Sequence, residues 1–222
     1  MTLHKAILLT TATFFVAVAS TNARADESEK WYATANFGLG SLSSETLTYF
    51  DGNESSTAGA DFDSGFGAGA TLGYRFANGW ALEGEFMYRT NDLEPIDVPG
   101  LGSYEEGDFA SLAIGINALY RFQLGASGKF EGYIGPGLVY LQEIDIDFEN
   151  PGEQEVSFET DDMAWQLKLG GRYDLSKRWF ADASATYLVG SGIQMERFGG
   201  STQTIESDYN HLMVSVGVGF RF

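Results

Sequence analysis

Cysteine is absent from the 222 residues, which excludes a disulfide framework and any thiolate metal site. Basic residues are scarce: 13 Lys and Arg stand against 31 Asp and Glu, a formal net charge of -18. Nucleic acid needs a basic footprint, so this balance excludes it as a partner. Only two histidines occur, too few for a His-based metal cluster, and no cofactor is expected. No apolar run reaches the ~18 residues of a membrane helix. What remains is 44% hydrophobic and 14% aromatic, too apolar for a disordered acidic chain.

The sizeable apolar stretch that does exist is N-terminal. Lys5 is followed by Ala6 to Leu9 and Phe14 to Ala19, and Ala23-Arg24-Ala25 ends the stretch. A basic start, a short apolar centre and a small-x-small end read as a secretory signal peptide. Residues 1–25 are therefore expected to be removed, leaving 26–222 as one domain.

After residue 30 the pattern has period 2, the mark of a strand with two unlike faces. Eight runs show it. Apolar residues alternate along Trp31 to Leu39, Phe66 to Phe76, Trp80 to Tyr88, Ala110 to Phe122, Phe130 to Tyr140, Met163 to Tyr173, Trp179 to Tyr187, and Leu212 to Phe222. Pro136 falls inside the fifth run and predicts a bulge or local break, since proline has no ladder donor. Ten residues at ~3.3 Å each, tilted by ~45°, span about 23 Å, close to the apolar band of an outer-membrane barrel. Aromatics gather at the ends of the apolar face: Trp31, Trp80, Phe130 and Trp179 on one side, Tyr88, Tyr140, Trp165 and Tyr187 on the other. Such girdles belong at two lipid–water interfaces, so the apolar face points outward. Open edges are not tolerated in lipid, and the sheet must close. Connections alternate between short (77–79, 123–128, 176–178) and long (41–64, 91–107, 142–161, 190–208). The fold expected is all-β: an eight-stranded antiparallel up-and-down transmembrane barrel with short periplasmic turns and long extracellular loops.

The C-terminal run resembles the small outer-membrane β-barrel proteins typified by the OmpA transmembrane domain, OmpX and the Opa-type surface proteins. Ser215, Gly217, Phe220 and terminal Phe222 look like the signal read by the barrel assembly machinery. Weaker likenesses are Tyr133-Ile134-Gly135-Pro136-Gly137-Leu138 and Gly69 to Phe76. The resemblance covers the whole mature chain as a pattern. It implies a Gram-negative outer-membrane location, with membrane lipid and lipopolysaccharide as surroundings.

The second face of the runs carries charge. Arg75, Arg89, Arg121, Lys168, Arg172 and Arg221 meet Glu83, Glu85, Glu131, Asp174 and Asp182 there. Unpaired buried charge is costly, and an eight-strand interior is just wide enough for side chains to fill it. A plugged interior held by ion pairs is expected, with a narrow path for ions or small solutes as the alternative. The long connections hold the acid, and three of the four have no basic residue. They suggest a solvated surface that meets a host or cell-surface ligand, or lipopolysaccharide through divalent cations. Around Asn150-Pro151-Gly152 a hairpin is expected to rise beyond the membrane, but the inward and outward assignments of its arms disagree in parity. Either a bulge or a different strand register from the one assigned is expected near residues 142–160.

Enzymatic chemistry finds little support. His211 is the single histidine after residue 25, and the next serine, Ser215, is about 13 Å along the strand. A Ser-His pair must be within hydrogen-bond reach, so a lipid-modifying enzyme is the lesser alternative to a structural, surface-interaction or channel role.

Overall fold

The computed structural model describes residues 30–222 apart from 153 and 200; the expected signal peptide lies outside the described residues. Every element in it is a strand: β1 (Trp31–Leu42), β2 (Glu45–Phe50), β3 (Ser55–Ala60), β4 (Gly65–Arg75), β5 (Trp80–Asp92), β6 (Ile96–Val98), β7 (Gly102–Tyr104), β8 (Glu106–Leu124), β9 (Phe130–Glu149), β10 (Val156–Asp174), β11 (Trp179–Arg197) and β12 (Thr204–Arg221). Eight of them, β1-β4-β5-β8-β9-β10-β11-β12, form an antiparallel ring. It closes where β1 pairs with β12, from Tyr32 opposite Arg221 to Leu42 opposite His211. Closure leaves no edge, which is the condition for crossing lipid with strands.

The alternation sets the faces as the sequence predicts. Leu39, Ile116, Leu138 and Val216 are 59–66% exposed on the outer surface. Their neighbours Asn117, Val139 and Ser215 are buried inside. Trp31 packs edge-on against Tyr74, Trp80 against Tyr120 and Trp179 against Phe220, building an aromatic rim at the short-turn end.

Much of the long connections is itself strand. β2 and β3 keep the register of β1 and β4, so this hairpin continues upward after an interruption at 43–44 and 61–64. β2 also pairs with β12 at Thr204 to Glu206. β9 rises to Glu149, and its pairing with β8 shifts between Leu112 and Ala113 while its pairing with β10 shifts between Thr160 and Asp162. Both shifts place an extra residue at Gln142–Glu143. This is the bulge that the parity conflict called for. Because side chains alternate with period 2, one extra residue swaps the faces. Below it Ile134 and Leu138 point outward; above it Ile144, Ile146 and Phe148 point inward and are fully buried. A shift in the β11–β12 pairing between Gly190 and Ile193 does the same for Ile193 and Met195.

The interior therefore changes character with height. Beside the apolar outer band it is polar. Beyond the band it is an apolar core that includes Leu47, Tyr49, Phe109, Phe148, Phe158 and Ile205. Burying each such side chain stabilises by about 1.5–3 kcal/mol, as in a soluble protein. The β6–β7 hairpin lies outside the main sheet, yet Ile96 and Val98 are buried in that core. Ser56 Oγ donates to Pro99 O at 2.5 Å and Asn150 Nδ2 to Ser103 O at 3.0 Å, tying this cap to the neighbouring strands.

Pro136 causes a break and not a bulge. The β8–β9 ladder runs to Asn117 opposite Gly137 and resumes in the same register at Tyr120 opposite Ile134. The two pairs between are missing, as expected where one strand has no donor.

Candidate functional site

The inward residues of β5 and β10 meet across the lumen. Lys168 Nζ lies 2.7 Å from Glu85 Oε2 and 3.1 Å from Glu83 Oε2. Arg172 pairs with Glu83 and places Nε 3.0 Å from Asp182 Oδ2 on β11. The side chains in these pairs are at most 5% exposed. Tyr32 on β1 donates to Glu83 Oε1 at 2.6 Å, and the Tyr133 hydroxyl on β9 sits 3.1 Å from both Asp182 oxygens. Gln166 Nε2 donates to Glu85 Oε1 and Asn117 Oδ1. Arg172 also stacks within 4.3 Å of the Tyr32 ring and 4.7 Å of the Tyr133 ring. Desolvating such ions is expensive, and only this density of charge-assisted bonds and ring contacts offsets it.

Glycine makes the crossing space. A Cβ at Gly73 would run into the Tyr32 ring, and one at Gly170 into the Tyr133 hydroxyl. Large inward rings face residues with no side chain, so the long charged groups fit between them.

The other expected interior charges form two further groups. At the short-turn mouth Arg75 Nη2 and Arg121 Nη1 share Glu131 Oε2 at 2.9 and 2.8 Å, and Arg221 Nη2 pairs with Asp174 Oδ1 at 2.7 Å. Above the central network Arg89 is 1% exposed and its Nη2 reaches Glu85 at 3.8 Å, while its Nε and Nη1 have no hydrogen-bond partner. Tyr32, Tyr133, Asn117 and Gln166 complete the central group. An inward tyrosine among glycines was the available signal for the first two.

His211 faces inward and is fully buried; its Nε2 is 3.1 Å from Asn91 Oδ1. Ser215 Oγ lies 2.8 Å from Ser184 Oγ, so His211 and Ser215 are each engaged elsewhere. Of the expected assembly signal, Ser215 and Gly217 point inward. Phe220 and Phe222 stack at the rim with ring centroids 6.5 Å apart.

The outer wall above the bulge is acidic. Asp92 is opposite Asp108, Asp108 is opposite Asp147, and Glu159 is opposite Glu196. Burial, with Asp147, Asp108, Glu143 and Glu159 around it, pushes the Asp145 carboxyl up to about 8. Burial likewise raises Asp147 to about 7, with Glu155 and Asp108 adding to the rise. Among the described residues no group of three or more acidic or histidine side chains has the geometry to hold a metal ion.

The family model described as outer membrane protein beta-barrel domain matches residues 9–222. No curated protein matches the chain. The solved outer membrane protein OprG from Pseudomonas aeruginosa is 19% identical with a TM-score of 0.61, covering 87% of this chain and 96% of its own. The Neisserial surface protein NspA is 16% identical with a TM-score of 0.50, covering 86% of this chain and 97% of its own. At these identities the two structures speak for the shared barrel fold alone.

Proposed function

This chain belongs to the outer membrane protein beta-barrel domain family and resides in the Gram-negative outer membrane, and on that premise we propose that it is a closed barrel with a structural and surface-interaction role. The observation that carries this reading is the central network of Glu83, Glu85, Lys168, Arg172 and Asp182. Ion pairs from three strands, hydrogen-bonded by Tyr32 and Tyr133 from two more, leave these charged side chains at most 5% exposed across the lumen. The apolar core and its β6–β7 cap close the end with the long connections as well. Such a barrel offers its outer wall and rim to other molecules, and its interior holds the wall in shape. Lipopolysaccharide phosphates would meet the Asp92, Asp108 and Asp147 part of the acidic wall through loosely held divalent cations, and a cell-surface ligand would meet the rim.

Recording from pure folded protein in planar bilayers tests the closed interior. The expected record is a quiet baseline. Arg172→Ala, which removes the ion shared by Glu83 and Asp182, should introduce brief openings. Large, stable conductance steps from the unaltered chain would replace the closed barrel by a channel.

A further inference from the structure

The lipid-facing wall is hollowed where its ladder is broken. Ile114, Ile116, Ala118, Pro136, Leu138 and Trp165 contribute to an apolar depression of about 670 Å³ on β8, β9 and β10. Its floor is the stretch in which Pro136 interrupts the pairing with Ala118. Above it, at the β9 bulge, Gln142, Glu143, Glu159, Thr160, Asp161 and Glu196 line a polar cleft of about 490 Å³. Tyr140 joins the two: it lines the hollow, and its hydroxyl donates to Asp161 Oδ2 at 2.8 Å. Among the described residues no basic side chain lines the cleft. Glu159 stands directly opposite Glu196 on the neighbouring strand, and like charges so placed repel.

We propose that this wall binds an amphiphile of the outer leaflet, with an acyl chain in the Pro136 hollow and an amine-bearing head in the carboxylate cleft. The tail follows from continuity, because the hollow is part of the surface that already faces lipid. The head follows from charge: a phosphate would be repelled by four carboxylates, whereas an ammonium relieves their mutual repulsion. Buried methylenes supply the binding, and the charges supply the choice of head.

Quenching of Trp165 tests this directly. The mature chain with Trp31, Trp80 and Trp179 changed to Phe is folded into vesicles and titrated with a chain-brominated fatty amine. The fatty alcohol and the phosphatidylglycerol carrying the same brominated chain are the comparisons. The amine is expected to quench Trp165 at a mole fraction lower by about fivefold for each carboxylate engaged. Asp161→Asn and Glu143→Gln should each cut that preference about fivefold, and Ala118→Phe should weaken quenching by all three probes by filling the hollow. Asp161→Asn changes an exposed group and keeps the test open if Ala118→Phe does not fold. Equal quenching by the three probes would overturn the proposal. So would a preference for phosphatidylglycerol that needs magnesium and vanishes with chelator, since that assigns the cleft to metal bridging.

Discussion

Asp145 illustrates how far a single residue can depart from its appearance in sequence. It reads as one more solvated loop acid, yet the bulge places it, largely buried, against Asp147, Asp108, Glu143 and Glu159. Its carboxyl holds a proton up to about pH 8 in the folded barrel, against 3.8 for an ordinary aspartate. The folded state therefore binds more protons over that interval. This part of the stability is complete below about pH 4 and is lost as pH rises through about 8. Asp145→Asn should match the unaltered chain at pH 4 and exceed it by about 1–2 kcal/mol at pH 8.5, the scale of a poorly solvated polar group. Hydrogen exchange at the Ile144 and Ile146 amides reads the difference. A wider gap at low pH would contradict the burial of this carboxyl.

At the scale of one element, β9 shows why phase matters more than composition. Its lower half is apolar outward and its upper half apolar inward, and the extra residue at Gln142–Glu143 lies between. Deleting Gln142 should turn Ile144, Ile146 and Phe148 out to water, at about 1.5–3 kcal/mol each. The expected outcome is a barrel that still folds in the membrane but is cut rapidly by protease between 143 and 160. Unchanged protection would mean that the bulge does not set the face. The conflict of parity was legible in the residues, but not which position absorbs it. That depends on the registers of β8 and β10 on either side.

For the molecule as a whole, the ends differ in task. The long-connection end has the core of a soluble protein and an acidic wall, and the short-turn end is an aromatic rim closed by Phe222, whose N–H donates to Trp31 O at 2.9 Å. If the C-terminal pattern is an assembly signal, deletion of Phe222 should lower surface levels several-fold. The stability of refolded barrel should change by no more than about 0.5–1 kcal/mol, as for other peripheral changes. Cell-surface labelling beside a urea titration of refolded protein separates the two effects, and unchanged labelling would remove the signal reading.

Period-2 alternation, girdle aromatics and alternating connection lengths determined from sequence alone that eight antiparallel strands form the barrel and which face of each strand is apolar. These are local properties, because a side chain's face depends only on its place along its own strand. Tertiary structure alone decided that Lys168 bridges Glu83 and Glu85, that Arg172 lies between Tyr32 and Tyr133, and that the interior turns apolar above Gln142. Those contacts join residues up to 140 positions apart. Which of them meet is set by the stagger of eight strands around a closed ring, a quantity that no single strand carries.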